Sequence, residues 1–132
     1  MIRHLNPPTL GQPKGYTHIV ETRGARTVYI SGQVAEDTSG NVVGVGEFST
    51  QARQVFENLK LALEAVGATF EDLAKTTTYV LSMSELAALR EIRAAYLGPN
   101  PPANTLLEVN KLAHPDYLIE IEGVVVLGPA QE

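Results

Sequence analysis

Leu118-Ile119-Glu120-Ile121-Glu122-Gly123-Val124-Val125-Val126-Leu127 places two carboxylates inside an otherwise apolar run. Side chains of an extended strand alternate between faces, so Glu120 and Glu122 share one face and Ile119 and Ile121 the other. Val124 and Val126 continue the acidic face, so both faces of this strand, about Tyr117 to Leu127, carry apolar surface. Upstream, a loop containing His114-Pro115 separates it from a further strand at about Thr105 to Val109.

Before these strands lie two helical patterns. From Ser49 to Val66 the apolar residues Ala52, Val55, Phe56, Leu59, Ala62, Leu63 and Val66 recur at three- and four-residue steps, and Gly67 supplies a stop. After a β-rich segment, Thr76 to Met83, a second helix begins behind the cap Ser84 and turns Leu86, Leu89, Ile92 and Tyr96 inward. Gly98-Pro99-Asn100-Pro101-Pro102 ends it. The N-terminal part reads as successive antiparallel strands, Thr17 to Glu21 and Thr27 to Val34, with a turn at Asp37-Thr38-Ser39-Gly40-Asn41.

The resulting order, ββ(β)αβαββ, is an α+β domain spanning residues 1–132. Two amphipathic helices cover one face of its sheet only, so the other face is expected to pack against another subunit.

Composition narrows the chemistry. The absence of cysteine excludes a disulfide framework, a thiolate nucleophile and cysteine-ligated metals. A net charge of −5 and the lack of a basic run oppose binding to a phosphate backbone. No apolar run approaches the roughly 20 residues needed to span a bilayer, and the opening residues lack a signal peptide's apolar stretch, so a cytoplasmic protein is expected. His4, His18 and His114 show no metal-ligand spacing, and no phosphate loop, nucleophile elbow or dinucleotide fingerprint occurs.

The paired carboxylates remain. Most strand carboxylates are wetted or salt-bridged. A Glu lining a narrow apolar cleft has its pKa raised by desolvation and can hold a water and shuttle a proton near neutral pH. Ser31-Gly32-Gln33 interrupts a strand with a glycine, which marks a bulge or a close approach of backbone to a ligand.

Ser31-Gly32-Gln33, Gln51-Ala52-Arg53-Gln54, Asn58-Leu59, Gly67, Lys75-Thr76-Thr77, Pro102-Ala103, Glu108-Val109 and Ile119-Glu120-Ile121-Glu122 occur in an order that resembles the Rid (YjgF-type reactive-intermediate deaminase) family across nearly the whole chain. The resemblance implies a chorismate-mutase-like α+β fold, with a mixed, mainly antiparallel sheet and two helices on one face. It also implies a homotrimer with clefts between subunits, and cofactor-free hydrolysis of small enamines and imines. By resemblance, Glu120 orients the attacking water and exchanges protons with the departing nitrogen. Tyr16, Ser31, Gly32, Thr105 and Leu106 line the cleft, and Glu122 is structural.

The sequence departs from that pattern at Asn104, where deaminating members carry an arginine that grips the substrate carboxylate. Two charge-assisted hydrogen bonds at roughly 1.5–3 kcal/mol each put the loss at about two to four powers of ten on a 2-imino acid. Arg90 falls where several members have a polar uncharged residue; it either reaches the cleft from the helix or is a solvated helix arginine. The expected function is hydrolysis of a small imine, enamine or related C=N compound that lacks the usual carboxylate or binds it differently. The alternative is a non-catalytic trimer that binds a metabolite or protein partner in the same cleft. A ribonuclease role, attached to some relatives, conflicts with the acidic charge.

Overall fold

The computed structural model describes residues 2–24 and 26–128. In chain order its elements are β1 (Ile2–Leu5), β2 (Ile19–Thr22), β3 (Arg26–Gln33), α1 (Phe48–Ala65), β4 (Leu73–Val80), α2 (Leu86–Leu97), β5 (Ala103–Glu108) and β6 (Ile119–Leu127). The main sheet has the order β3-β6-β4-β5. β6 is antiparallel to both of its neighbours, whereas β4 and β5 are parallel, which requires a crossover that α2 supplies.

Alternation along β6 works as the sequence implies. Ile119, Ile121, Val125 and Leu127 enter the core, while Glu120, Glu122, Val124 and Val126 take the opposite, open face. α1 buries Ala52, Val55, Phe56, Leu59 and Leu63 against β6, β3 and α2. Phe56 stacks on Tyr96 with ring centroids 5.0 Å apart and locks α1 to α2.

Two polar residues of α1 organise the loops around the sheet. Gln51 is fully buried; its Nε2 donates to the carbonyls of Gly44 (3.1 Å) and Asp116 (2.7 Å), and its Oε1 accepts from the Leu118 amide (2.9 Å). Asn58 Nδ2 donates to the carbonyls of Val34 (2.9 Å) and Glu36 (3.0 Å), bracing the chain as it leaves β3. These side chains supply bonds that irregular backbone has no ladder to make.

Three expectations are corrected. The N-terminal strands are antiparallel, but not to each other: β2 pairs with β1 in a separate two-stranded sheet, and β3 pairs with β6. Ile2–Leu5 takes the edge of β2, where Arg3 lies opposite Glu21 and meets it in a 2.9 Å ion pair. The β-rich segment at 76–83 starts and stops earlier, because Met83–Glu85 form a 3-10 turn. That turn is capped by Ser82 rather than Ser84, and α2 begins at Leu86 with no side-chain cap. Among the described residues no helix is long and apolar enough to cross a membrane.

Candidate active site

Glu120 stands at the middle of the open face. It lies opposite Tyr79 of β4 on one side and against the irregularity of β3 on the other, where the register slips between Ile30 and Gln33. The bulge expected at Ser31-Gly32 is present, and what approaches the glycine is the carboxylate of Glu120. A Cβ at residue 32 would lie 2.1 Å from Glu120 Oε2 and 2.6 Å from Cδ. Glycine is thus the residue that leaves room for this carboxylate to lie across β3.

The neighbouring acids are engaged. Glu122 accepts a 2.5 Å hydrogen bond from the Tyr79 hydroxyl, and Glu36 accepts one of 2.6 Å from Tyr117. Each bond raises the pKa of its phenol. Among the described residues none donates a hydrogen bond to Glu120. Desolvation, followed by repulsion from Glu122, lifts its carboxyl above the ordinary glutamate range. A partly buried carboxylate with unfilled lone pairs on a central strand is suited to hold a water and exchange protons with it.

Gly32→Ala tests this geometry. The added methyl meets the far end of a flexible side chain, so the fold should persist and Glu120 should swing aside. An ångström-scale misplacement costs on the order of a hundredfold in turnover. The expected outcome is that loss of kcat with a thermal midpoint shifted by only a few degrees; a variant with wild-type kcat would contradict it.

A second group of expected residues gathers elsewhere. Tyr16, Arg90, Asn104 and Leu106 line a cavity of about 350 Å³ together with Lys14 and Arg93. Asn104 lies opposite Thr76, and its Oδ1 accepts from the hydroxyls of Thr76 (2.9 Å) and Thr78 (3.1 Å). Thr76 and Thr78 belong to the helix-covered face and Tyr79 to the open face, so the sheet separates this cavity from Glu120. Thr105 does not join the cavity: it points to the open face, where its hydroxyl accepts from Lys75 Nζ at 2.6 Å. Ser31 is exposed on the bulge beside Gly32, and its carbonyl accepts from Gln33.

The segment that roofs the cavity is pinned from below. Thr17 is buried; its amide donates to the Pro102 carbonyl at 3.0 Å and its hydroxyl to the Pro101 carbonyl. Tyr16 packs edge-on to His18 with centroids 5.3 Å apart. Arg93, absent from the sequence expectations, is buried at 6% exposure. Desolvation and the neighbouring Arg90 lower its pKa from the usual arginine value. The signal was available: Leu89, Arg93 and Leu97 lie four residues apart, and all three are buried.

A mixed four-stranded sheet with both helices on one face and an acidic cluster on the other is the chorismate-mutase-like α+β class. The family described as Endoribonuclease L-PSP matches residues 9–127, and the chain belongs to this Rid/YjgF/L-PSP family. A Rid-family protein of unknown function from Yersinia pestis superposes with a TM-score of 0.90 at 41% identity, covering 96% of this chain and 98% of that one. A RutC family protein of Pyrococcus horikoshii is 38% identical over 97 residues, 74% of this chain and 76% of that protein. The 2-iminobutanoate/2-iminopropanoate deaminase of Rattus norvegicus is 34% identical over 104 residues, 79% of this chain and 75% of that protein.

Proposed function

We propose that the chain is a Rid-type hydrolase of small imines or enamines, with Glu120 as the proton-exchanging group. The observation that carries this reading is the Glu120 carboxylate itself: partly buried, without a donor among the described residues, and fitted over Gly32. Water adds to the carbon of a C=N bond as Glu120 takes one of its protons. The carboxylic acid returns that proton to nitrogen, giving a carbinolamine; the carboxylate then carries the hydroxyl proton to nitrogen as the C–N bond breaks and C=O forms, and a carbonyl compound and ammonia leave. Atoms balance with water as the sole co-reactant.

The same reading places the reaction between subunits of a homotrimer. Glu120 and the Asn104 cavity occupy opposite faces of one sheet, so a single site using both takes Glu120 from one subunit and the cavity from its neighbour. Tyr29, at 79% exposure, and Leu107, at 43%, lie on the open face and supply apolar surface for such packing.

The test follows the loss of freshly generated 2-iminopropanoate and 2-iminobutanoate against buffer, with Glu120→Gln as control, beside sedimentation of the purified chain. Acceleration by wild type alone, from a trimer, is expected. Equal rates in protein and buffer for these and for neutral imines would favour the non-catalytic binding module, and a stable monomer with full activity would overturn the shared site.

A further inference from the structure

We propose that the cavity beneath residues 14–16 is a carboxylate-binding subsite built on Arg93 and Arg90 of α2, so that the substrate is an imine or enamine bearing an acid group held from the helix rather than from β5. This rests on the hydrolase reading for the word substrate, but not for the binding site.

Arg93 is the anchor. A guanidinium removed from water is ordinarily paired with a carboxylate, and leaving such a charge unpaired is costly. Arg93 Nη2 donates to the Lys14 carbonyl at 3.2 Å, while its buried Nε has no hydrogen-bond partner among the described residues. Among the described residues no acidic side chain lines the cavity; its charged residues are Lys14, Arg90 and Arg93, all cationic. Asn104 adds polarity without charge, and because its Oδ1 is occupied by two threonine hydroxyls, its Nδ2 remains as a donor.

The roof is shaped around this side chain. Gly15 has φ of +77°, and a Cβ there would stand 2.8 Å from Arg93 Nη2 and 3.2 Å from Nε. The residue best suited to this left-handed backbone is also the one that lets the chain close over a guanidinium. The result is a planar donor group, with a second arginine beside it, at the wall of a cavity sized for a small molecule. A carboxylate is the group that this planar fork pairs with.

The test measures binding apart from turnover. Pyruvate and its neutral amide, pyruvamide, are titrated into the assembled protein by calorimetry, with wild type, Arg93→Lys, Arg93→Gln, Arg90→Gln and Glu120→Gln compared. Wild type is expected to bind pyruvate and to bind pyruvamide far more weakly. Arg93→Gln should weaken pyruvate by roughly ten- to a hundredfold, the value of one charge-assisted hydrogen bond. Arg93→Lys should fall between, because it keeps the charge and loses the fork. Arg90→Gln is a surface change that keeps the fold, and it should lose several-fold.

Equal affinity for pyruvate and pyruvamide, or pyruvate affinity unaltered in Arg90→Gln and in folded Arg93→Lys, would overturn the subsite. The hydrolase reading fails separately: pyruvate binding that depends on Arg93 in a protein that hydrolyses no imine leaves the subsite standing and removes the catalysis. Imine hydrolysis lost in Glu120→Gln, with pyruvate binding insensitive to both arginines, does the reverse.

Discussion

Glu120→Gln is expected to lower kcat on an accepted imine by about two to four powers of ten, the usual contribution of a positioned acid–base group. The amide keeps the shape of the side chain and most of its packing, but it can neither take a proton from water nor deliver one to nitrogen. The same substitution should make the fold more stable at neutral pH. Glu120's pKa is raised in the folded chain, so the native state holds a proton that the unfolded chain has already released. The corresponding stability is present below the unfolded value and is lost as pH rises through the folded value. Ionising this carboxylate in the folded chain carries a cost, from burial and from Glu122, that glutamine does not incur. A melting series should therefore show the variant above wild type near neutrality, with the gap closing toward roughly pH 4. Wild-type kcat/KM should fall with acidification through that raised pKa, as the base becomes protonated. A variant with both the activity and the pH profile of wild type would remove Glu120 from the chemistry.

Gln51→Leu is expected to be the costliest polar-to-apolar change in the described chain, lowering unfolding free energy by roughly 2–4 kcal/mol. Leucine has a similar volume, so the loss comes from three hydrogen bonds rather than from a cavity. The carbonyls of Gly44 and Asp116 and the amide of Leu118 would each lose their Gln51 partner. Unsatisfied buried groups cost about 1–3 kcal/mol each, and part of that is recovered by relaxation or water. Urea unfolding followed by circular dichroism should show a lower midpoint with an unchanged slope. Because Leu118 immediately precedes β6, turnover should fall as well, through looser placement of Glu120. A midpoint indistinguishable from wild type would show that the loops carry their own order.

Patterns with short periods were legible in the sequence. The three- and four-residue spacing of α1 and the two-residue alternation of β6 each follow from one element's geometry, and both stand in the structure. The glycine in Ser31-Gly32-Gln33 pointed to a bulge or a close approach, and the strand slips register there with the Glu120 carboxylate lying against Gly32. Pairing was less legible. Nothing local to Ile2–Leu5 announces that it will claim β2, or that β4 and β5 will lie parallel with α2 between them, because those choices depend on residues far apart. Arg93 escaped for another reason. The rule that charges face solvent outweighed the helical spacing that places it with Leu89 and Leu97, and that rule is weakest where a polar cavity meets the core. Tyr16, Arg90, Asn104 and Leu106 were named from resemblance, and the fold brings these four together.

The position of β6 has a consequence for biogenesis. It follows every other described strand in chain order, yet it lies between β3 and β4, pairing Val28 with Val125 across most of the polypeptide. On the ribosome, β3 and β4 emerge long before the strand that joins them, and until then their facing edges are unsatisfied. Completion of the sheet thus waits for β6 and is dominated by non-local contacts, the regime in which folding is slow and nascent chains are exposed to association. The strand that brings Glu120 is also the one that closes the sheet, so the carboxylate reaches its place across Gly32 only in the event that joins β3 to β4.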